Sequence, residues 1–426
     1  MIRFLWVNQI IPCQIIHYSL SIMTYFQKIF QNRNLALLWL GQMASQSGDS
    51  IYQIGLLWLV LELSGSTSVT GMVAMASYLP AVLLSMVAGV TADHNDRRKI
   101  MLISDAFRFI LVFLIPIAFF AGFLNPQFLG INAFAIAIAA TFFNPARDAF
   151  VPQIVAKEGL LKANSLIQTS WQISLLLGPA IAGVLLHYFG NVHLFTACSS
   201  AYLFSFVLVF FIRPARKFSG STQYATGLKE VKDGLLFALR HSVIFPLLLI
   251  TIADNLLIMG PAIVGTPVFV RETLGLDAAA YAIIMSCFAV GTLIGSCGLF
   301  LIGGRFKKGH LMLTGIIWDG MTFIPLYFVQ SLSAAAILAT IHAVAIPLLV
   351  VPRTSLIQDI VPANMTGRIF ALMHLSVVGM SAISAGLSGL ILEWINAPTL
   401  FLLIGIGGGI CGLAGWVFAK DLRMSD

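Results

Sequence analysis

Charged residues are scarce in this chain. Asp, Glu, Lys and Arg together make up 10% of its 426 residues, whereas a soluble globular domain carries roughly 25%. The five cysteines have no CxxC spacing, no glycine-rich loop ends in the lysine that binds nucleotide phosphates, and no HExxH pattern is present. These absences argue against a soluble domain, a disulfide framework, a metal site and ATP as the energy source, and we do not expect an enzyme.

Hydrophobic residues are correspondingly abundant. They account for 59% of the chain, and the mean hydropathy is +0.94. The net charge of +7 could indicate nucleic-acid binding, but no basic run is long enough for such a patch. An excess of bases spread over short loops is typical of the cytoplasmic side of a membrane protein. The composition therefore predicts a multi-pass protein of the lipid bilayer that does not bind nucleic acid.

Twelve apolar runs are long enough to cross a bilayer as helices, which takes roughly 20 residues each. They lie near residues 35–62, 70–92, 99–122, 128–150, 164–188, 193–213, 242–268, 279–303, 310–330, 333–352, 368–393 and 398–419. A hydrophilic linker at 214–241 divides them six and six. The predicted fold is an all-α membrane protein with two pseudo-symmetric six-helix bundles, at 34–213 and 242–420.

Both ends of the chain are predicted to lie outside the bundles. Residues 1–33 are only moderately apolar and are interrupted by polar side chains, which predicts a cytoplasmic or interfacial segment with Met23 as an alternative start. Residues 421–426 form a short polar tail. Because the number of spans is even, both termini are expected on the same side of the membrane.

The bases identify that side. Nearly every Lys and Arg falls at the same end of the predicted spans, and the densest group lies between Asp93 and Lys99. Lys and Arg accumulate on the cytoplasmic side of membranes. The turn at Asp93, the linker and both termini are therefore predicted to be cytoplasmic, and the membrane to be the bacterial inner membrane. Arg271 is the base outside this pattern.

The two halves resemble each other in sequence. The run from Arg147 to Val155 parallels the run from Arg353 to Val361, and the same register places Asp49 opposite Asp254. Duplication around a central linker indicates two related bundles. Transporters built from such repeats place their substrate site between the halves, near the middle of the membrane.

The turn between the second and third spans carries a recognisable pattern. Its residues are Gly89, Asp93, Arg97 and Arg98. The pattern resembles the loop signature of the Major Facilitator Superfamily, with His94 where a base is common and Asp96 where glycine is common. The runs ending at Asp49, Arg147 and Gly183 look like the branch that includes the enterobactin exporter and the macrolide efflux proteins. The resemblance covers residues 28 to about 420.

The resemblance implies roles for two sets of residues. It implies a conformational latch that holds the halves together in the outward-open state, formed by Gly89, Asp93, Arg97, Arg98 and Asp148. On physical grounds, Asp93 can face the helix start near Gly367 and Arg368, while Arg97 or Arg98 can pair with Asp148. The second set is a helix-bending motif associated with export, formed by Gly178, Pro179 and Gly183 in the fifth span. The resemblance also implies a monomer.

Three acids lie deep inside predicted spans, farther from the span ends than the other acids. A carboxylate at such depth is costly, so it should face water or take up a proton. The candidates for proton coupling and the substrate cavity are Asp49, Asp254 and Asp319, with Gln46 and Gln53 beside the first. Structural hydrogen bonding of a neutral Asp49 remains an equal alternative. We rank Asp49 first, Asp254 second and Asp319 third.

Four other polar residues inside the spans are predicted to have structural roles. Asp105 and Arg108 are one helical turn apart and can neutralise one another. His342 and His374 could relay protons, but lone histidines are more often packed or hydrogen-bonded.

The sequence thus predicts a secondary transporter that exports a small amphipathic molecule by alternating access, with the proton gradient as energy source and no cofactor. A siderophore exporter and a lysolipid transporter are alternatives of the same fold. A membrane receptor or assembly partner that transports nothing is an alternative from another class.

Overall fold

The structure is a computed structural model that describes residues 32–156, 159–213, 228–362 and 365–425. Within these ranges the chain is helical apart from short connections. The predicted N-terminal segment lies outside the described residues up to 31, as do residues 214–227 of the predicted linker and the final residue of the tail.

Six long helices precede the linker. They are α1 (Arg33–Ser64), α2 (Thr67–His94), α3 (Arg97–Phe120), α4 (Pro126–Ile154), α5 (Leu160–Phe189) and α6 (Asn191–Phe210). The second part of the linker is itself a helix, α7 (Leu228–Arg240). This helix packs against the second half of the chain, since a Cβ at Gly234 would lie 3.0 Å from Cβ of Arg368.

The second half repeats the pattern with more interruptions. Its elements are α8 (Ile244–Thr273), α9 (Ala278–Ile302), α10 (Lys308–Met321), α11 (Leu332–Ala343), α12 (Ala345–Ile360), α13 (Thr366–Ile391), α14 (Ala397–Phe418) and the short α15 (Lys420–Met424). Helix α8 begins as an α-helix and then contains π-helical turns. Helices α11 and α12 together form one apolar span from Leu332 to Ile360.

Polar side chains begin many of these helices. In each case the side-chain oxygen of the residue before the first turn accepts a backbone N–H, which satisfies one of the donors that a helix start leaves free. Such N-caps are Asn32, Ser66, Asp96, Asn125, Asp277, Ser331 and Asn396. Asp96, which departs from the family pattern, therefore has a local role at the start of α3.

Eleven segments of the described chain are long and apolar enough to cross a membrane. The segment that falls short is α1, although it is a continuous helix of 32 residues. Polar residues at its centre, from Gln42 to Gln53, lower its hydropathy. Helix α1 occupies the first predicted span but is too polar to qualify by composition, so eleven of the twelve predicted spans are confirmed by length and hydropathy among the described residues.

The helices define two faces of the molecule. Asn34, at the start of α1, bonds the carbonyl of Arg213, and Arg98, at the start of α3, bonds carbonyls at the end of α6. We call this side, from which the chain enters the linker, the linker face. The opposite side, where Ser64 meets Thr67, is the far face.

Hydrogen bonds between the two halves cluster at the far face. The hydroxyl of Ser66 and the N–H of Ser68 donate to Oε1 of Glu393 over 2.8 and 3.0 Å. The hydroxyl of Thr67 donates to the carbonyl of Gly389 over 2.9 Å. Helices α2 and α13 nearly touch here, because a Cβ on Gly71 would lie 2.7 Å from Cα of Gly389.

A second contact closes the far face beside the first. The guanidinium of Arg271 donates to the carbonyl of Leu61, and the rings of Trp58 and Tyr281 stack at 6.3 Å.

Toward the linker face, by contrast, α2 and α13 move apart: a Cβ at Gly386 would lie 3.1 Å from Sδ of Met75, and a Cβ at Gly379 would lie 3.9 Å from Val82. The halves are therefore joined most closely at the far face, and α2 and α13 diverge toward the linker face.

Candidate functional site

The first half buries a group of charged and polar side chains, the N-cluster, formed by Asp49, Asp105, Arg108, Tyr202 and Ser205. The guanidinium of Arg108 pairs with Asp105 and lies 3.6 Å from Oδ1 of Asp49. The hydroxyl of Tyr202 donates to Asp49 over 2.6 Å, and that of Ser205 donates to Asp105 over 2.7 Å. Four side-chain contacts therefore converge on the two carboxylates of Asp49 and Asp105.

Helix geometry explains how the N-cluster forms. Asp105 and Arg108 are three residues apart on α3, so their side chains share one face. The guanidinium plane lies between Phe143 and Tyr202, whose ring centroids are 4.5 and 4.7 Å away. Buried charges need such partners because desolvation is costly. The predicted mutual neutralisation of Asp105 and Arg108 is confirmed by this ion pair.

Asp49 differs from its neighbours in exposure. Its side chain is 40% exposed, although it lies roughly 24 Å along α1 at 1.5 Å per residue. Asp105 and Arg108 are 0% and 2% exposed. Because the halves diverge toward the linker face, we infer that Asp49 borders the space between them. It is the acid of the N-cluster that water or a ligand can reach.

The predicted glutamines flank Asp49 on α1. Gln46 is buried, and its side-chain oxygen has no hydrogen-bond donor among the described residues. Gln53 is half-buried. Gln42, one turn earlier than Gln46, accepts a hydrogen bond from Arg147 over 3.1 Å. The polar side of α1 is therefore partly satisfied by α4.

The glycine and proline motif packs directly against this part of α1. A Cβ at Gly178 would lie 2.3 Å from Cβ of Ser50, so only glycine permits the approach. Pro179 lies inside α5, which runs without a break from Leu160 to Phe189. Gly183 faces Ala282 of the other half, with 3.6 Å available to a Cβ. The motif thus allows close packing at Gly178, while its helix-bending role in export stays a prediction.

The second half buries its own charged group, the C-cluster, formed by Asp254, Asp319, His342 and Arg353. Asp254 and Asp319 are 6% and 3% exposed, and Asp254 is within electrostatic range of both Asp319 and Arg353. Nε2 of His342 lies 3.5 Å from Oδ1 of Asp319, while its Nδ1 bonds the hydroxyl of Thr322 at 2.8 Å. Asp319 is therefore in contact with His342, while Asp254 interacts with Asp319 and Arg353 at longer range, without an ion pair or hydrogen bond to either among the described residues.

The C-cluster is incompletely hydrogen-bonded. Among the described residues, Oδ1 of Asp254 and Oδ1 of Asp319 lack a hydrogen-bond donor. An unsatisfied buried polar atom costs roughly 1–3 kcal/mol, more when it is charged. Native structures contain few such atoms, and they often mark functional sites.

Helix α8 changes its hydrogen-bonding pattern at Asp254. Its α-helical part ends at this residue, and π turns follow at Asn255–Met259 and Pro261–Gly265. Ser384 of α13 supports the altered backbone: its hydroxyl donates to the carbonyl of Leu256 over 2.6 Å and accepts the N–H of Gly260 at 2.8 Å. Single π turns inside helices are frequent at functional sites.

The predicted latch residues contact their own half in this conformation. Arg97 pairs with Asp93 at 3.9 Å and donates to the carbonyls of Ala92 and Ala149. Arg98 donates to the carbonyls of Val209 and Phe210.

The two contacts predicted for the latch are not the ones seen here. Asp148 pairs with its neighbour Arg147 at 2.8 Å in place of Arg97 or Arg98. The side chain of Asp93 is 59% exposed, and Arg368 packs against α7 at Gly234. A latch between the halves would require the opposite conformation, in which the linker face closes, and it stays a prediction.

A cavity of about 420 Å³ opens at the far face, away from both clusters. Its lining includes Trp58, Glu62, Asn191 and Arg271. Asn191 donates to Glu62 over 2.6 Å, and Arg271 is engaged with a carbonyl. Because these polar groups are already paired, we prefer the clusters as the functional site. No three potential metal ligands come together within the described ranges.

Several residues of the site were missed by sequence reasoning. Tyr202 and Ser205 partner acids on α1 and α3, and Ser384 supports α8, all from distant parts of the chain. Each lies in an apolar span where a single hydroxyl is unremarkable. Arg353 was noticed only as part of the repeat, and the parallel with Arg147 is the signal that could have identified it.

Comparisons with known proteins identify the family of this chain. Residues 27–419 match the model of a family described as transmembrane secretion effectors, of the MFS type. The Bacillus subtilis protein YvqJ, an uncharacterized MFS-type transporter, is 26% identical over 80% of this chain and 82% of its own length. The multidrug efflux pump Tap of Mycolicibacterium fortuitum is 23% identical over 84% and 88%, and macrolide efflux protein A of Streptococcus pyogenes is 24% identical over 86% and 91%.

Solved structures show the same fold. The nucleoside transporter NupG superposes with a TM-score of 0.73 at 10% identity, over 92% of this chain and 100% of its own. A bacterial homologue of the iron transporter ferroportin, in an inward-facing state, has a TM-score of 0.71 at 15% identity, over 89% and 98%.

Proposed function

The chain belongs to the transmembrane secretion effector family of Major Facilitator transporters, and from this membership we propose that it exports a small amphipathic molecule in exchange for protons. Export takes place across the bacterial inner membrane, with both termini in the cytoplasm. The linker face is then the cytoplasmic face. The efflux pumps among its relatives support export.

One observation carries the proposal: the two halves join at the far face and diverge toward the linker face, with an acid cluster deep in each half. Alternating access requires two bundles that rock around a central site. The hydrogen bonds at Glu393 and Gly389 are few and lie at one end of the interface, so a rocking motion can break them without unfolding either bundle.

Asp49 determines the charge of the substrate that the proposed cavity would bind. The N-cluster contains two carboxylates against one guanidinium, and its excess negative charge lies at the exposed acid. An intramembrane acid beside a cavity attracts a cationic group, while the apolar residues of the surrounding helices accept the rest of an amphipathic molecule. This arrangement favours a lipophilic cation over a siderophore, whose many polar groups need a more polar lining.

The test is efflux of ethidium, a fluorescent amphipathic cation, from energised cells. Wild type is compared with Asp49→Asn, with and without an uncoupler, and with Glu272→Gln, which removes an exposed acid at the far face. We expect efflux to stop with the uncoupler and with Asp49→Asn, and to persist in Glu272→Gln.

The other outcomes separate the alternatives. Efflux that needs the proton gradient but survives Asp49→Asn moves coupling to Asp254 or Asp319. Absence of ethidium efflux in wild type removes the multidrug proposal and directs the search to siderophores and lysolipids. If no flux depended on any intramembrane acid, a receptor or assembly role would replace transport.

A further inference from the structure

We propose that α7, the helix in the second part of the linker, docks one side onto the bilayer surface at the linker face and binds anionic phospholipid headgroups there. This surface lies away from both clusters, and its role does not depend on which molecule the protein transports. We call it the leucine face, and its members are Lys232, Leu235, Leu236, Leu239 and Arg240.

The two sides of α7 have different surroundings. Gly234 and Ala238 are one turn apart and buried, and a Cβ at Gly234 would lie 3.0 Å from Cβ of Arg368, near the start of α13. Members of the leucine face are spaced three or four residues apart, so they share the other side of the helix. Its three leucines are 44%, 37% and 52% exposed. Helix α7 is therefore fixed to the second half by one side, and its apolar side is uncovered among the described residues.

Contacts along α13 indicate how α7 is oriented. Ser384 of α13 bonds the backbone of α8 at Leu256 and Gly260. Arg368 lies 16 residues before Ser384, which is roughly 24 Å nearer the linker face at 1.5 Å per residue. The same distance along α8 leads back to the turn that joins it to α7. Gly234 packs on Arg368 and thus lies at the depth of that turn, so α7 runs along the membrane surface instead of projecting from it.

The turn between α7 and α8 is short and hydrogen-bonded. The N–H of His241 donates to the carbonyl of Phe237 over 3.1 Å, and the N–H of Phe245 donates to the carbonyl of His241 over 3.1 Å. Nδ1 of His241 also accepts the N–H of Val243 at 3.2 Å. This turn holds α7 at the beginning of a span. The leucine face is therefore at the level of the headgroup layer, which is roughly 5–8 Å deep on each side of the hydrocarbon core.

The apolar surface of α7 continues into that of the span. Phe245 and Leu249 of α8 are 42% and 53% exposed, on a helix long and apolar enough to cross the membrane. Leucines exposed to water on the adjoining helix would forgo the free energy of burying apolar surface. Amphipathic helices gain that free energy by burying their apolar side at the boundary between headgroups and acyl chains. The bilayer surface is thus the occupant that the apolar side favours.

Charge complementarity identifies the kind of lipid. Lys232 and Arg240 lie at the two ends of the leucine face, whereas the acid Asp233 is half-buried and outside it. Bases beside a membrane are attracted to anionic lipids, and the phosphate oxygens of a headgroup accept hydrogen bonds from ammonium and guanidinium groups. Bases that served only to set topology would not require exposed leucines between them. The leucine face therefore fits an anionic phospholipid surface.

The experiment locates the leucine face by electron paramagnetic resonance of the purified full-length protein in phospholipid vesicles. A nitroxide is attached at Leu236→Cys or Leu239→Cys in a background in which the five native cysteines are replaced. Collisions with oxygen, which concentrates in the bilayer, are compared with collisions with a water-soluble nickel chelate. Leu249→Cys on α8 is the lipid-exposed control, and Asn95→Cys in the exposed turn between α2 and α3 is the water-exposed control.

Lipid charge is the second variable. The vesicles contain phosphatidylcholine alone or phosphatidylcholine mixed with phosphatidylglycerol. The charge variant combines Lys232→Gln with Arg240→Gln. Its matched control combines Arg33→Gln with Lys99→Gln, which removes two exposed bases from the linker face of the first half. Circular dichroism and size-exclusion chromatography confirm that each labelled variant is folded.

We expect labels at 236 and 239 to collide with oxygen in preference to the nickel chelate, as at 249 and unlike at 95. Phosphatidylglycerol should increase this preference several-fold. The charge variant should lose the increase, because its leucine face has no base to attract the headgroups, while the matched control should keep it.

Three results would overturn the proposal. Preference for the nickel chelate at 236 and 239 would place the leucine face in water. Protection from both reagents would show that another protein segment covers it. Preference for oxygen that phosphatidylglycerol does not change would remove the recognition of anionic headgroups. Because these readouts need no transported molecule, absence of ethidium efflux would leave the result unaffected.

Discussion

The N-cluster and the C-cluster each contain two aspartates and one arginine. The aspartates lie on corresponding helices of the duplicated chain, whereas Arg108 lies on the third span of its half and Arg353 on the fourth span of its half. In the N-cluster, Arg108 lies against both acids, hydroxyls complete their hydrogen bonds, and Asp49 reaches water. In the C-cluster, both acids are buried and each lacks one donor. The difference teaches that acids at repeated positions can be fully hydrogen-bonded in one half and only partly hydrogen-bonded in the other.

The largest difference between the two clusters is expected in the free energy of unfolding when their arginines are replaced. Replacing Arg108 by Met leaves Asp105 buried without its counter-ion, which should lower the free energy of unfolding by about 3–5 kcal/mol. Arg353→Met should cost less, because Arg353 forms no ion pair with an acid among the described residues, whereas Arg108 pairs with Asp105. Denaturation in detergent measures both. Equal losses would show that the two clusters are held together in the same way.

A smaller effect is expected where α5 meets α1. In Gly178→Ala the added methyl group would lie 2.3 Å from Cβ of Ser50, and overpacking of this kind typically costs up to about 3 kcal/mol. The matched control is Gly183→Ala, where 3.6 Å is ordinary contact. If the close approach positions Asp49, ethidium efflux should fall in the first variant only. An unchanged efflux would separate the export motif from the N-cluster.

A further effect is expected in the second half, where Ser384 of α13 supports the π turns of α8. Ser384→Ala removes two hydrogen bonds to α8, which at about 1 kcal/mol each lowers stability by about 2 kcal/mol. Ser381→Ala on the same helix is the control, because that hydroxyl bonds only its own helix. Ethidium efflux should decline in Ser384→Ala and persist in Ser381→Ala. Equal efflux in the two variants would mean that transport does not depend on the support of the π turns by Ser384.

The smallest effect concerns pH at the far face. Hydrogen bonds from the N–H of Ser68 and the hydroxyl of Ser66 lower the pKa of Glu393 from 4.5 to about 2. A lowered pKa means that this contact favours the closed far face fully above about pH 4.5 and is lost as pH falls toward 2. Cysteine labelling at the far face should therefore not change between pH 6 and 8 through Glu393. A change in that range that Glu393→Gln abolishes would contradict this assignment.

Much of the architecture follows from local sequence. Apolar runs of sufficient length and polar N-caps such as Ser66 and Asp96 place the helices, because each depends on neighbours within a few residues. The pair Asp105 and Arg108 was predictable for the same reason. The π turns after Asp254 lie on both sides of Gly260, which precedes Pro261, and glycine and proline are residues at which helices often bend.

The site itself depended on contacts that sequence spacing does not encode. Asp49 was chosen for its depth, but its hydroxyl partner Tyr202 lies 153 residues away. The latch residues were recognised from their pattern, yet their present contacts depend on which face of the molecule is open. Which face is open depends on how the two bundles pack against each other, so a loop motif cannot specify it.

By itself, the sequence determined that this protein is a duplicated helical membrane protein with acids inside its spans, because hydropathy and helix period act over short stretches of chain. Only the tertiary structure decided which of those acids are satisfied. Burial and hydrogen bonding depend on side chains from other helices. The equivalent aspartates therefore differ: Asp49 lies beside Arg108 and accepts a hydrogen bond from Tyr202, whereas one oxygen of Asp254 lacks a donor among the described residues.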